Sequence, residues 1–336
     1  MGPILDETGP FPCGGQVQST AMRVEELSQA IRAEIDKAIV GQQEVIEQVL
    51  VAVLANGHVL LEGVPGVAKT LMVRALARSL DLAYGRVQFT PDLMPSDVIG
   101  TLVFDPKEND FRLKKGPVFV SVLLADEINR TPPKTQAALL EAMEERKVTI
   151  DGEPHPLPPP FLVFATQNPI EFEGTYPLPE AQQDRFLLKI VVDYPADEAE
   201  IDVLKRHHSG FRPQSLEDAG IEPVVHAAGL IEAQAQVAAI AVEEKVFAYI
   251  HDLVKATRKA NDILFGASPR AGIALLNCGK ALAAIRGRDF VIPDDVKSMA
   301  LPVLRHRIVL RPEAEVEGLT PDRVLSSLID AQVVPR

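Results

Sequence analysis

The run Gly63-Val64-Pro65-Gly66-Val67-Ala68-Lys69-Thr70 lies between an apolar, strand-like stretch at 58–62 and a helical pattern that begins at Leu71. A phosphate-cradling loop needs that order, because glycines adopt angles closed to other residues, successive N–H groups turn inward, and the next helix offers its positive end. On this reading the segment Gly63 to Leu71 holds a nucleotide's phosphates, Lys69 reaches the β- and γ-phosphates, and Thr70 lends its hydroxyl to Mg²⁺. Ala68 departs from the commonest pattern, which has glycine before the lysine. Alanine is the smallest replacement, so close phosphate approach is retained. A second site of possible chemistry is Val122-Leu123-Leu124-Ala125-Asp126-Glu127, an apolar strand ending in two carboxylates. Neighbouring side chains on a strand diverge, so Asp126 supports Mg²⁺ through a water while Glu127 addresses the water that attacks the γ-phosphate. A third is Ala165-Thr166-Gln167-Asn168-Pro169, which puts an amide at the end of another apolar strand. Ligands of open parallel sheets bind there, so Asn168 would orient the lytic water, the alternative being a turn residue ahead of Pro169.

These groups need a scaffold to bring them together. Further apolar runs at 87–89 and 187–192 join those at 118–125 and 161–165, and helical stretches separate them. Strands so separated imply a mostly parallel sheet covered on both faces, an α/β architecture. Two segments interrupt the rhythm: 101–116 alternates around Pro106-Lys107-Glu108-Asn109 and 147–160 around Asp151-Gly152, so both read as inserted β-hairpins. Helical patterns at 22–37 and 44–55 precede the loop. Beyond 196 no strand signal survives, and helical patterns at 196–208, 231–239, 242–261, 269–286 and 293–304 predict a small all-helical domain. The expected division is therefore an aperiodic, disordered arm at 1–20, a nucleotide-binding domain at 21–194 and a helical lid at 195–336.

The chain has 336 residues, 46% hydrophobic and 24% charged, which suits two packed domains. A formal net charge of -13, with basic residues scattered, disfavours nucleic acid as a partner. Two cysteines, Cys13 and Cys278, make neither a disulfide framework nor a metal site, and a reducing cytoplasm fits. No apolar run has the length of a membrane span. Cys278 reads as core, and His207-His208 as a helix end rather than a metal ligand pair. Arg185, just before the last predicted strand, and Arg270, at the start of a helix, are on local sequence ordinary surface arginines.

The order of phosphate loop, Asp-Glu strand, Asn-tipped strand, Asp184-Arg185-Phe186 and a late arginine resembles the AAA+ ATPases. More specific blocks resemble the MoxR subfamily: Gln88-Phe89-Thr90-Pro91-Asp92-Leu93-Met94-Pro95-Ser96-Asp97, Asp126-Glu127-Ile128-Asn129-Arg130, Pro132-Pro133-Lys134-Thr135-Gln136, Thr166-Gln167-Asn168-Pro169 and Gly266-Ala267-Ser268-Pro269-Arg270-Ala271. The resemblance runs from about Ile31 to Val334. It implies that Val40, Gly41 and Gln42 lie near the adenine, that Asn168 is sensor 1, that Arg185 is an arginine finger donated to a neighbour's ATP, and that Arg270 is sensor 2. It further implies ATP and Mg²⁺ as cofactors, a homo-oligomeric ring such as a hexamer, and hairpins facing its central pore. Clients would be partner proteins that are remodelled or loaded with metal, often ones containing von Willebrand factor A domains. A magnesium-chelatase-like motor subunit is the neighbouring alternative. A nucleotide-gated scaffold with little turnover is another, against which the acidic Glu127 argues.

Overall fold

The computed structural model describes residues 22–168, 175–212 and 219–335. The arm at 1–20 and Pro169 lie outside them. Helices α1 (Val24–Asp36) and α2 (Gln43–Leu54) come first, and β1 (Val59–Glu62) leads through the loop into α3 (Lys69–Ser79). Next are β2 (Tyr84–Gln88), the short α4 (Pro95–Ile99), and a hairpin of β3 (Gly100–Asp105) and β4 (Asp110–Lys115). Strand β5 (Val122–Asp126) precedes α5 (Pro133–Glu145), a second hairpin of β6 (Lys147–Ile150) and β7 (Glu153–Pro156), and β8 (Leu162–Gln167). After α6 (Glu180–Gln183) and β9 (Leu188–Val191) the chain runs through α7 (Asp197–His208), α8 (Ala227–Ala238), α9 (Glu244–Lys259), β10 (Ile263–Phe265) and α10 (Pro269–Ile285). It closes with α11 (Pro293–Leu304), β11 (Val309–Leu310), α12 (Pro312–Val316) and α13 (Pro321–Ala331).

The five main strands pair in parallel in the order β2-β5-β8-β1-β9. The central strands read as continuous apolar runs because both of their faces are covered. Alternation along each strand sorts the side chains: Val59, Leu61, Val122, Leu124, Leu162 and Phe164 enter one core, while Leu60, Leu123, Ala125, Val163 and Ala165 enter the other. The second core is closed by α5 and the bases of both hairpins. On the first hairpin, Leu102 and Leu113 are half-buried against it, and one rung further out Phe104 and Phe111 meet edge to face at 5.4 Å, both exposed.

The first core does not stop at the end of the sheet region. Ile31 and Ile35 of α1 and Ile46 and Leu50 of α2 share it with Leu275, Cys278 and Leu282 of α10 and Leu304 of α11. The expected all-helical second domain needs one correction, since β10 and β11 form a two-stranded antiparallel sheet. Strands of three and two residues are too short to leave an alternation that sequence can carry.

Two histidines tie the sheet to its surroundings. His58 receives a hydrogen bond from the Val163 N–H on Nδ1 (3.0 Å) and donates from Nε2 to the Met143 carbonyl (3.1 Å). His306 donates from Nε2 to the Phe186 carbonyl (3.0 Å). Burial pushes the His58 pKa down to about 3, with Arg146 adding to the effect, and burial likewise holds His306 well below its ordinary value. The unfolded chain binds these protons near the ordinary pKa of about 6.5 and the folded chain does not, so stability is intact above that pH and declines below it. His58 should contribute a slope approaching about 1.4 kcal/mol per pH unit between pH 6 and 4, and His306 acts in the same direction. Urea denaturation of the wild type and His58→Gln at pH 7 and pH 5 checks this: the variant should show the smaller pH dependence.

Candidate active site

The three central strands end side by side, and the chemistry collects at their carboxyl ends. A cavity of about 730 Å³ there is lined by Pro65 through Leu71, Asp126, Glu127 and Asn168, together with Val40 and Gln42. Gly63 supports the loop from below, where a Cβ would come within 2.3 Å of the Val192 carbonyl oxygen. Gly66 adopts φ +90° and a Cβ there would meet nothing within 4 Å, so the loop backbone is open toward the cavity. Lys69 folds back to donate to the carbonyls of Gly63 and Val64, the latter at 3.2 Å. Burial lowers its pKa, an effect that Asp126, Glu127 and Glu62 oppose.

Ala68 takes φ 61°, in the left-handed region, as the residue that caps α3. A non-glycine residue there costs about 1–2 kcal/mol. Ala68→Gly should therefore raise stability by about 0.5–1 kcal/mol after the added chain entropy of glycine is subtracted. Urea midpoints read the change, and an unaltered midpoint would remove strain from the account of this loop.

Asp126 and Glu127 are positioned by a threonine. Thr166 Oγ1 donates to Asp126 Oδ1 (2.6 Å) and accepts the Glu127 backbone N–H (2.8 Å). The second bond fixes the backbone of Glu127, which sits at φ 57°, a left-handed angle that non-glycine residues visit rarely. From the edge strand, Arg86 reaches Asp126 Oδ2 at 2.7 Å, while Gln88 Nε2 (2.6 Å) and Arg130 Nη1 (3.2 Å) reach Glu127 Oε2. Asn168 is buried at the tip of β8, and its carbonyl accepts from Asn129 Nδ2 at 3.5 Å. Thr166 and Gln88 fall within the blocks that carry the family resemblance, but nothing in their spacing marks a positioning role.

The donor set suits Mg²⁺: a Thr70 hydroxyl and an Asp126 carboxylate, both hard oxygens, line the same cavity beside a glycine whose missing side chain leaves it open. The loop implied to approach the adenine is tied to the far wall. Gln42 Nε2 donates to the Asp193 carbonyl (2.9 Å), and Gly41, at φ +73°, brings its backbone so near α7 that a Cβ would sit 2.5 Å from the Ala199 Cβ.

The two arginines go elsewhere. Arg185 Nη2 lies 2.9 Å from Glu144 Oε2 and Arg270 Nη2 lies 2.7 Å from Glu144 Oε1, and both line a separate cavity of about 300 Å³. Neither lines the nucleotide cavity. The hydrogen bond from Arg270, with the charge of Arg185 nearby, holds the Glu144 carboxyl below its usual range. The turn carrying Arg185 is fastened by the helical half: buried Arg307 bonds Asp184 Oδ1 (2.7 Å), the Phe186 carbonyl (2.6 Å) and the Leu187 carbonyl (3.1 Å), and Ser268 Oγ reaches Asp184 Oδ2 (3.3 Å). No group of three or more His, Cys, Asp or Glu side chains able to hold a metal occurs among the described residues, and His207 faces the nucleotide cavity.

Residues 58–188 match the ATPase family associated with various cellular activities (AAA), and residues 255–328 match the AAA lid domain. The chain is 45% identical over 334 residues to Chaperone MoxR1 of Mycobacterium tuberculosis, covering 97% of this chain and 86% of that protein. The chain belongs to the MoxR-type AAA+ ATPases. Protein MoxR of Methylorubrum extorquens is 35% identical over 314 residues, covering 87% of this chain and 90% of that protein. A crystal structure of a protein from Cytophaga hutchinsonii assigned as an ATPase superposes with a TM-score of 0.85 at 42% identity, covering 93% of this chain and 96% of that one. The parallel sheet with its helices and the helical region that follows are thus an AAA domain and an AAA lid. No described helix is long and apolar enough to cross a membrane.

Proposed function

We propose that the chain hydrolyses ATP to ADP and phosphate as a ring of identical subunits and spends the cycle on remodelling client proteins. The observation that carries the reading is the separation of the two arginines from the nucleotide cavity. Arg185 and Arg270 sit together on Glu144, away from Lys69, Asp126 and Glu127, so neither can reach a phosphate bound in its own chain in this arrangement. A second copy that brings its cavity to this pair completes the site.

Within one cavity the division of labour follows from position. Lys69 leaves the Gly63 and Val64 carbonyls for the β- and γ-phosphates, and the N–H groups of Gly66 through Thr70 take the remaining phosphate oxygens. Glu127 accepts a proton from the attacking water, and Asn168 orients that water at the adjacent strand end. Arg185 and Arg270 of the neighbour meet the charge that develops on the γ-phosphate, trading Glu144 for it. Mg²⁺, when bound through Thr70 and Asp126, neutralises phosphate charge.

The chaperone relative supports a client protein as the object of the cycle, and the exposed Phe104–Phe111 rung is an apolar surface such a client can contact. Metal loading of partners and von Willebrand factor A domain clients are finer readings that rest on the family likeness. Phosphate release at rising protein concentration tests the ring: specific activity should climb as subunits assemble. A Glu127→Gln protein loaded with ATP should retain clients for mass spectrometry. Specific activity that is flat across the concentration range and no ATP-dependent capture would defeat the proposal.

A further inference from the structure

Two guanidiniums that meet on one carboxylate are an incomplete ion pair, and the cavity around Glu144 does not complete it. Among the described residues it is lined by four arginines, Arg146, Arg185, Arg270 and Arg307, against two carboxylates, Glu144 and Asp184. Asp184 is taken by Arg307 at 2.7 Å. Arg146 donates to the carbonyls of Asn56 (2.8 Å) and Phe161. Arg185 and Arg270 thus share Glu144, each through its outer nitrogen Nη2, and one positive charge is left over. Their side chains are 31% and 50% exposed, so that charge is open to another molecule. The backbones behind the three groups are held. Glu144 is the last residue but one of α5, between Met143, whose carbonyl bonds His58, and Arg146 at the helix end. Arg185 follows the fastened Asp184, and Arg270 stands in the first turn of α10 with its N–H on the Ser268 hydroxyl at 3.2 Å. Only the side chains are left to move.

We propose that Glu144 is a positioning residue that keeps Arg185 and Arg270 together as one anion-binding unit in the lone chain, and that, as their resting counter-ion, it has to be displaced before they serve a second copy. The inference rests on the ring reading above. A carboxylate bonded through both oxygens holds the two guanidiniums at the spacing of two oxygens on one anion, so the pair is shaped for such an anion before it arrives. The terminal phosphate of a second copy's ATP carries more charge than a carboxylate and one oxygen more, so it takes the pair from Glu144. ADP presents no phosphate at that place, and Glu144 keeps its hold. The exchange swaps ionic partners and makes or breaks no covalent bond. Glu144 therefore subtracts from the association of copies loaded with ATP and leaves that of copies loaded with ADP alone.

The test uses the full chain carrying Glu127→Gln, which consumes ATP slowly, and reads by sedimentation velocity the protein concentration at half-assembly with ATP or with ADP. Adding Glu144→Gln removes the charge of a partly exposed side chain and keeps its shape. It should lower the half-assembly concentration with ATP about three- to tenfold, the scale of two exposed ion pairs, and leave the ADP value unchanged. In a background of Arg185→Ala and Arg270→Ala, the same Glu144→Gln change should have no effect with ATP, which assigns the gain to the pair. A half-assembly concentration with ATP that is unchanged or raised by Glu144→Gln, an equal fall with ADP, or an equal fall without the two arginines would overturn the role of Glu144 and leave the ring reading in place. Failure of the parent protein to assemble with ATP at any concentration would overturn the ring reading, and the role of Glu144 with it.

Discussion

Mixed with Glu127→Gln protein, an Arg185→Ala variant should recover ATP turnover that neither protein shows alone. Arg185→Ala by itself should lose on the order of 10³–10⁵ in rate, the range seen when an arginine that meets transferring phosphate is removed. Rescue follows because some interfaces pair the intact Arg185 of the Glu127→Gln subunit with the intact Glu127 of the other. The shared seat of Arg185 and Arg270 on Glu144 sharpens the expectation. If both arginines serve the neighbour's nucleotide, a mixture of Arg185→Ala with Arg270→Ala should show no rescue, since every interface lacks one of the two. Rescue in that second mixture would return Arg270 to its own chain's nucleotide. Absence of rescue in the first, with wild-type specific activity independent of concentration, would return both to a self-sufficient site.

Lys69→Ala should abolish ATP binding, whereas Glu127→Gln should bind ATP as the wild type does and turn it over about 10²–10⁴ times more slowly. Lys69 meets phosphate before any bond changes, while Glu127 acts only on water during the reaction. The amide retains the shape of the side chain and can still accept from Gln88 and Arg130, so the site stays assembled. Calorimetry with ATP and single-turnover phosphate release separate the two effects. Equal loss of affinity in both variants would show that Glu127 contributes to ground-state binding.

The loop between β1 and α3 and the two strand ends were legible because buried parallel strands are contiguous apolar runs in sequence, and glycine or polar residues mark where each run stops. The two hairpins were legible from alternation around polar turns. The β10–β11 pair was not, since five residues in two distant pieces carry no period. Nor was the meeting of Arg185 with Arg270: it depends on how α10 packs beside the end of α5, and packing between distant elements has no local signature. The cavity face of α7, made by Glu200, Val203, Leu204 and His207, was present as a spacing of four residues, but helical periodicity alone does not say whether a stripe faces a core, a ligand or water. Thr166 shows the opposite limit. Its hydroxyl holds Asp126 and the Glu127 backbone together, a task that any small hydroxyl at a strand end performs without announcing it.

Arg307 sets where the molecule can give way. Its side chain is 3% exposed and bonds Asp184 and the carbonyls of Phe186 and Leu187, so parting the helical half from β9 would break all of these hydrogen bonds together. Helix α7 buries none of its residues and is held instead by Arg206, whose Nη1 donates to the carbonyls of Asp36 (3.0 Å) and Lys37 (2.9 Å) at the end of α1. Arg185, next in sequence to the Asp184 that Arg307 fastens, is located by the whole chain and not by β9 alone: the same turn answers to the sheet and to the helical half at once.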